Sequence, residues 1–277
     1  MLDVTILQML LSIISGFVVG FSLGLIGGGG SILAVPLLLY FVGLSSFPDA
    51  THLALGTTAL AVGLNAYINS YMHVRRGNVA PRIGVAFTVP GLLGSFAGAY
   101  LGELTPGEKL LLYFSLAMIT LGIYVALSRR ANASEKCPEK ESLVEGQKPP
   151  FSFRTSTGMA VMLAGFTTGL ASGYFGIGGG FLIVPALILS SKMCIKKAVG
   201  TSLIAVGTFG LATGLVYAFH GKVLYMVSLL YVLGGLMGGY LGTLFVVRVP
   251  GDKLRRVYGI IIVLVGIYIL LKAIGIT

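Results

Sequence analysis

Two glycine-rich stretches carry the residues best suited to ligand binding in this chain. The first reads Gly27-Gly28-Gly29-Gly30-Ser31 and the second Gly176-Ile177-Gly178-Gly179-Gly180, 149 residues later. Four glycines in five positions break a helix, since each costs about 1 kcal/mol relative to alanine. A helix that restarts after the break directs unpaired N–H groups and the positive end of its dipole at whatever precedes it. We therefore predict an anion site at each restart, near Gly30-Ser31 and near Gly180-Phe181.

Hydroxyl and amide side chains follow each break. Gly56-Thr57-Thr58 comes after the first and Gly200-Thr201-Ser202 after the second, at equivalent places. A hydroxyl donates a hydrogen bond without bringing a charge, which suits an oxyanion that must bind and then leave. These hydroxyls either bind the anion or cap a helix backbone. Asn65 and Asn69 share one helix face, where they line the pathway or join helices.

The predicted substrate-binding site combines both breaks with these polar side chains. Its members are Gly28, Gly29, Gly30, Ser31, Thr57, Thr58, Asn65, Gly178, Gly179, Gly180, Thr201 and Ser202. No His, Asp or Glu lies at mid-span to activate Ser31 as a nucleophile. We therefore predict no catalytic residue and no enzyme activity, and we expect neither a metal nor a cofactor.

Several other residues receive structural interpretations. His52, His73 and His220 lie at segment ends, so we predict solvated side chains at the membrane interface. Cys137 and Cys194 lie in or beside basic loops and are predicted to be free thiols, because disulfides are rare in the cytoplasm. Glycines spaced four apart predict close helix packing. They are Gly16, Gly20, Gly24, Gly94, Gly98, Gly102, Gly165, Gly169 and Gly173.

The composition excludes a soluble protein. Of the 277 residues, 56% are hydrophobic and 10% are charged, whereas a soluble domain has about 25% charged residues. The long apolar runs indicate an all-α polytopic membrane protein whose main surroundings are the lipid bilayer. The net charge of +10 reflects basic loops between apolar spans, so no nucleic-acid partner is expected.

The apolar residues fall into ten segments that form two copies. The segments are 4–26, 31–44, 53–72, 82–102 and 108–128, then 154–176, 180–190, 197–218, 223–246 and 253–274. Gly122-Ile123-Tyr124 and Gly266-Ile267-Tyr268 extend the repeat seen at the breaks. The chain therefore divides into a first transmembrane repeat, 1–128, a linker, 129–152, and a second transmembrane repeat, 153–277. Each repeat is a Gly-broken helix pair followed by three transmembrane helices.

The positions of the basic residues predict the topology. If each Gly-broken pair returns to its starting side, 16 of the 19 Lys and Arg lie on one side. The positive-inside rule makes that side cytoplasmic. Linker 129–152 is then cytoplasmic and both termini are outside. An odd number of segments per copy gives two inverted-topology repeats in the cell membrane, an architecture of secondary transporters.

These features together predict a transporter for a small anion, working by alternating access as a monomer or homodimer. The anion would lie near the midplane, held by the two Gly-rich half-helix N-termini. The alternative is an anion channel that uses the same pair of dipoles. Asp49, Glu103, Glu108 and Asp252 all lie at segment ends, so no buried carboxylate is predicted to carry a coupling proton. A proton on a histidine or on the substrate, a sodium ion, or no coupling ion all remain open.

The doubled Gly-rich breaks, the two Gly-Thr-[Thr/Ser] turns and the duplicated layout resemble the TauE/SafE family of sulfite exporters, also called the toluene sulfonate uptake permease family. The resemblance covers nearly the whole chain apart from linker 129–152. It implies transport of sulfur-containing anions such as sulfite, sulfonates, sulfoacetate or thiosulfate. It also implies that the family's Gly-rich motif corresponds to Gly27–Ser31 and Gly176–Gly180 in this sequence.

Overall fold

The computed structural model describes residues 5–127, 156–176, 180–245 and 251–274. Linker 129–152 lies outside these ranges. The first half contains α1 (Ile6–Ile26), α2 (Ala34–Pro36), α3 (Ala50–Arg75), α4 (Pro81–Leu104) and α5 (Gly107–Leu127). The second half contains α6 (Ser156–Phe175), α7 (Gly180–Ser191), α8 (Ile195–Phe219), α9 (Tyr225–Phe245) and α10 (Gly251–Ala273). No strand occurs in the described residues, so the prediction of an all-α protein is confirmed.

Five of these helices are long and apolar enough to cross a membrane, namely α1, α4, α5, α8 and α9. Their outer surfaces carry large exposed apolar side chains such as Ile6, Leu93 and Met237. An exposed apolar surface of this extent is stable in lipid and not in water. The described residues therefore form the multi-pass membrane bundle that composition predicts.

Glycines bring two pairs of helices into backbone contact. Gly16, Gly20 and Gly24 of α1 meet Tyr231, Gly235 and Gly239 of α9, in that order, so α1 and α9 run parallel. The α4–α6 pair is built the same way: Gly94 and Gly98 of α4 meet Phe166 and Leu170 of α6, again in parallel. Since a Cβ at any of the named glycines of α1 or α4 would overlap the partner's backbone, the prediction of close packing is confirmed.

Two further pairs run antiparallel through the centre and edge of the bundle. In the α3–α8 pair, Gly56 lies beside Tyr217 and Gly200 lies beside His73. In the α5–α10 pair, Gly122 lies beside Gly259 and Gly266 lies beside Ile119. α8 also packs on α4, and α9 packs on α3. α3 and α8 are thus the central helices, and they position most of the predicted polar residues.

At the first glycine break the chain turns back onto α1 and then continues as helical turns. A 3₁₀ helix, Gly27–Leu33, follows α1 without a gap, and then come α2 and a π-helix, Leu37–Phe41. A Cβ on Gly30 would overlap the backbone of Ser22 and Leu23, although residues eight apart in a continuous helix lie about 12 Å apart. The chain therefore reverses direction at the glycines, and helical residues continue to Phe41, so a helix start near Gly30-Ser31 agrees with the prediction, although its first turns are 3₁₀.

The second break has a different form. Gly176 ends α6 in the left-handed conformation, with φ of 64°, and its N–H donates to the carbonyl of Gly173 at 3.2 Å. Such a residue terminates a helix and favours glycine. Residues 177–179 lie outside the described ranges, and α7 begins at Gly180, where the sequence predicts a helix start.

Cys194, which precedes α8, is disulfide-bonded. The prediction of a free thiol at this position is therefore wrong. The predicted compartment of a cysteine does not determine which sulfur atoms lie close together in the fold. Cys137 lies outside the described residues.

Candidate functional site

The two glycine-interrupted segments contact each other inside the bundle. The 3₁₀ helix Gly27–Leu33 packs on α1, α7 and α8. It contains Gly28, Gly29, Gly30 and Ser31 of the predicted site, and Ser31 is fully buried. Gly180, also buried, is the first residue of α7. Gly178 and Gly179 lie outside the described residues. The predicted glycine sites of the two halves therefore belong to neighbouring elements.

Thr57 and Thr201 hold helix starts in the opposite half of the chain. The Thr57 hydroxyl oxygen accepts a hydrogen bond from the backbone N–H of Leu224, just before α9, at 3.0 Å. The Thr201 hydroxyl oxygen accepts one from the N–H of Ala80, just before α4, at 2.9 Å. These two bonds are equivalent in the two copies. They satisfy backbone donors that a helix start otherwise leaves unpaired.

Replacing either threonine with valine is expected to lower stability. Thr57→Val or Thr201→Val removes the acceptor of one helix-start N–H and should cost about 1 kcal/mol of unfolding free energy. Thermal unfolding of the purified protein measures this. The matched controls are Thr57→Ser and Thr201→Ser, which keep the oxygen and should keep the melting temperature. Equal melting temperatures for the Val and Ser variants would contradict the capping role.

The two hydroxyl pairs lie far apart. Because α3 and α8 run antiparallel, Thr57 and Thr58 lie near the Tyr217 end of α8, while Thr201 and Ser202 lie near the His73 end of α3. The stretch of α3 from Gly56 to His73 is about 25 Å at 1.5 Å per residue. One small anion cannot contact both pairs at once. The structure therefore divides the predicted site instead of assembling it at one point.

Thr58 and Ser202 use their hydroxyls locally. The Thr58 hydroxyl donates to the carbonyl of Ala54 at 2.7 Å, and the Ser202 hydroxyl donates to the carbonyl of Val199 at 2.8 Å. Both side chains are fully buried. In this arrangement neither hydroxyl proton is directed at a ligand.

A buried polar line runs along one face of α3. Asn65, Asn69 and His73 are spaced four residues apart and are 0%, 2% and 4% exposed. Within the described part of the chain, no partner is found for either amide atom of Asn65, the Oδ1 of Asn69 or either ring nitrogen of His73. The Asn69 amide nitrogen donates to the carbonyl of Asn65 at 2.9 Å. Buried polar atoms without partners are costly, so this face calls for a functional explanation.

Glycines of α9 make room for this polar line. The Asn65 amide lies against Gly235 and the Asn69 amide lies against Gly239. Gly235 in turn meets Gly20 of α1, and Gly30 meets α1 at Ser22 and Leu23. Measured along the axis of α1, Asn65 and Gly30 therefore lie within about 5 Å of each other.

The second half carries apolar or hydroxyl side chains at the equivalent positions. Phe209 replaces Asn65 and lies against Gly91, the counterpart of Gly235. Thr213 replaces Asn69, and its hydroxyl lies 3.2 Å from that of Ser95. Tyr217 replaces His73. The polar line of α3 is thus an asymmetric feature of an otherwise repeated framework.

Two histidines depart from the sequence prediction. His52 and His73 are 5% and 4% exposed, so the prediction of solvated interfacial side chains is wrong for both. His52 lies under the end of α4, and His73 lies under the start of α8 near Gly200. His220 is more exposed, and its Nδ1 lies 2.8 Å from the carbonyl oxygen of Val216. Residues from distant parts of the chain bury His52 and His73, and the sequence next to each histidine does not indicate this burial.

The apolar helices, the glycine-mediated contacts and the contacting broken segments define a multi-pass membrane protein with a polar line in its interior. Comparison with known families is more specific. The family described as Sulfite exporter TauE/SafE matches residues 12–269. The chain belongs to this family, which confirms the resemblance predicted from the sequence, and it is a membrane transporter of the sulfite-exporter type.

Its relatives carry general names. A protein of Xylella fastidiosa (strain Temecula1 / ATCC 700964) named probable membrane transporter protein is 44% identical over 271 residues, covering 97% of both chains. The Bacillus subtilis (strain 168) protein named probable membrane transporter protein YunE is 26% identical over 270 residues, covering 95% of this chain and 97% of its own. No solved structure matches the chain significantly.

Proposed function

We propose that this protein is a secondary transporter that moves a sulfur-containing anion across the cell membrane by alternating access. The anion is of the class of sulfite, sulfonates, sulfoacetate or thiosulfate. The observation that carries this proposal is the contact between the 3₁₀ helix Gly27–Leu33 and α7, the two glycine-interrupted segments. Irregular backbone at membrane depth is tolerated only where protein or a water-filled path satisfies it. Transporters hold their substrates at such paired breaks.

The two halves are proposed to be inverted repeats. Each helix of the first half has a counterpart in the second half, five helices later. When every helix is replaced by its counterpart, the α1–α9 contact becomes the α6–α4 contact, and the α3–α8 and α5–α10 contacts stay the same. α1 runs parallel to α9, α6 runs parallel to α4, and α3 runs antiparallel to α8. These directions support opposite orientations for α1 and α6. Both termini are then outside and linker 129–152 is cytoplasmic, as the basic loops predict.

The proposed binding site is centred on the first break, the start of α7 and Asn65. Ser31 and Asn65 are fully buried, and both lie on elements that pack on α1. Asn65 contributes two amide donors that find no partner in the described ranges. α7 is 12 residues long, and its N-terminus brings roughly half a positive charge. Neutral donors with one helix dipole bind an oxyanion without holding it permanently.

A thermal-shift screen tests the substrate class. The purified full-length protein is heated with sulfite, thiosulfate, sulfate, taurine, sulfoacetate or chloride, and a ligand at 100 times its Kd should stabilise it by about 2.7 kcal/mol. Ser31→Ala should weaken that ligand about tenfold, the effect of one hydrogen bond to a charged group. The matched control is Ser15→Ala, which removes another fully buried serine hydroxyl from α1 and should leave the shift unchanged.

Counterflow in proteoliposomes separates transporter from channel. A transporter loaded with unlabelled anion accelerates uptake of the labelled anion, whereas a channel shows no such exchange. Stabilisation by cations or neutral solutes alone would contradict the anion site. Conductance without counterflow would replace the transporter with an anion channel that uses the same broken segments.

A further inference from the structure

A cavity of about 560 Å³ opens at the end of the bundle where α3 begins and α4 and α8 end. Among the described residues, the carboxylates of Asp49, Glu103 and Glu108 line it together with one cation, Lys222. Its lining charge is therefore negative with His52 neutral. Such a cavity raises the local concentration of cations, protons included, and repels the anions of the proposed function.

His52 lies in this cavity with its tautomer defined by the surrounding carbonyls. Its Nε2 lies 3.1 Å from the carbonyl oxygen of Thr105 and 3.3 Å from that of Gly102. Carbonyl oxygens only accept hydrogen bonds, so Nε2 carries the proton and the lone pair is on Nδ1. Among the described residues that Nδ1 has no hydrogen-bond partner, and it lies 3.9 Å from the Asp49 carboxylate. The imidazole is thus a buried proton acceptor beside a carboxylate.

Asp49 also connects the two halves of the chain. Its carboxylate is bonded to the ammonium group of Lys222, in the α8–α9 connection. That hydrogen bond and the charge of Lys222 hold the pKa of Asp49 below its usual value. Asp49 is therefore ionised at neutral pH and faces Lys222 on one side and His52 on the other.

We propose that His52 is a proton-binding site, reached from water through this acidic cavity, and that its protonation couples proton movement to anion transport. The proton adds to Nδ1 and returns to water from the same atom. A protonated His52 competes with Lys222 for the Asp49 carboxylate. Binding a proton thereby loosens the tie between the two halves at this end of the bundle. The coupling step rests on the proposed transport function, whereas the proton site does not.

Within the described ranges, charged and titratable groups approach His52 from both halves of the chain. Asp49 precedes it on the chain, Glu103 closes α4, and Glu108 opens α5. From the second half come Lys222, Tyr217, whose ring lies 6.1 Å from the imidazole, and His220, 3.8 Å from Glu103. Tyr174 lies 3.3 Å from the hydroxyl of Thr105. Among the described residues that line the cavity, carboxylates outnumber cations.

Nitrogen NMR of the ¹⁵N-histidine-labelled full-length protein tests the proton site. The His52 signals are assigned by their absence in His52→Gln, and the ring is observed near pH 6.5, about the pKa of imidazole in water. Asp49→Asn should lower the ratio of protonated to neutral His52 about fivefold, the effect of unit charges about 4 Å apart in water. Lys222→Gln should raise it. Lys109→Gln, the same charge change outside the cavity lining, should leave it unchanged.

Opposite responses to Asp49→Asn and Lys222→Gln support the site. The proposal is overturned if neither variant changes the ratio, or if neutral His52 carries its proton on Nδ1. A histidine that takes up no proton would show no protonated form in either variant.

Proteoliposome flux tests the coupling separately. Thiosulfate is used because its charge stays constant across the pH range. The measured quantity is the quotient of two rates: thiosulfate uptake driven by a pH gradient, divided by thiosulfate counterflow. His52→Gln should reduce this quotient at least about tenfold, while Lys109→Gln should keep it. An equal quotient in His52→Gln overturns the coupling. If no anion of the panel moves through the wild-type protein, the transport function fails, and the NMR result still decides the proton site.

Discussion

Gly98→Ala is expected to prevent stable folding. The added methyl group would overlap the carbonyl oxygen of Leu170 and lie 2.8 Å from the backbone nitrogen of Tyr174. Backbone atoms cannot move aside as a side chain does, so α4 and α6 must separate along their whole contact. Overpacking of this kind costs about 3 kcal/mol or more. Alanine is the better helix former by about 1 kcal/mol, so a loss of stability cannot come from helix propensity.

Size-exclusion chromatography and thermal unfolding of the purified variants measure this loss. The matched control is Gly84→Ala on the same helix, where the nearest atoms are the side-chain carbons of Thr201 at 3.1 Å and Ile204 at 3.7 Å. Those groups can shift by tenths of an ångström, so the change should stay within about 1 kcal/mol. Equal unfolding of Gly98→Ala and wild type would mean that α4 and α6 are farther apart than described.

The glycine spacing on α4 and α6 illustrates how far sequence reasoning reaches. A small residue every fourth position predicts that some backbone approaches closely. It does not identify the partner, which here is α6 for Gly98 and α9 for Gly20. The long-range pairing is a property of the whole bundle. The spacing of small residues and the composition therefore predict the helices and the face of each helix that packs. Which helix packs against that face depends on the fold of the whole chain.

The threonines show the same limit for the site. Thr57 and Thr201 follow equivalent glycines, and the sequence allows them either to bind an anion or to cap a helix. Their bonded N–H groups belong to Leu224 and Ala80, which are more than a hundred residues away along the chain. A local pattern cannot reveal such a partner. The difference between Asn65 and Phe209, in contrast, is visible when the two repeats are aligned. In the structure the Asn65 amide lies against Gly235, whereas the Phe209 ring lies against the equivalent glycine, Gly91.

Asn65→Leu is expected to raise the stability of the protein and to abolish transport. Leucine has the same branched arrangement of four side-chain heavy atoms as asparagine but no polar atoms, so it removes two buried groups that lack partners in the described residues. Replacing such groups with apolar ones of similar shape is stabilising, by about 1 kcal/mol or more. If those amide atoms exist to bind the anion, the same change should abolish ligand-induced stabilisation and counterflow.

A stability gain together with a loss of transport is the informative outcome, because a purely structural asparagine gives no loss of transport and a damaged fold gives no gain in stability. Thermal unfolding without ligand and counterflow with ligand are measured on the same preparation. Ser15→Ala supplies the control, since its buried hydroxyl also lacks a partner within the described ranges and lies outside the proposed site. It should gain stability and keep counterflow. Counterflow retained by Asn65→Leu would remove Asn65 from the binding site and leave the first break and α7 as its remaining elements.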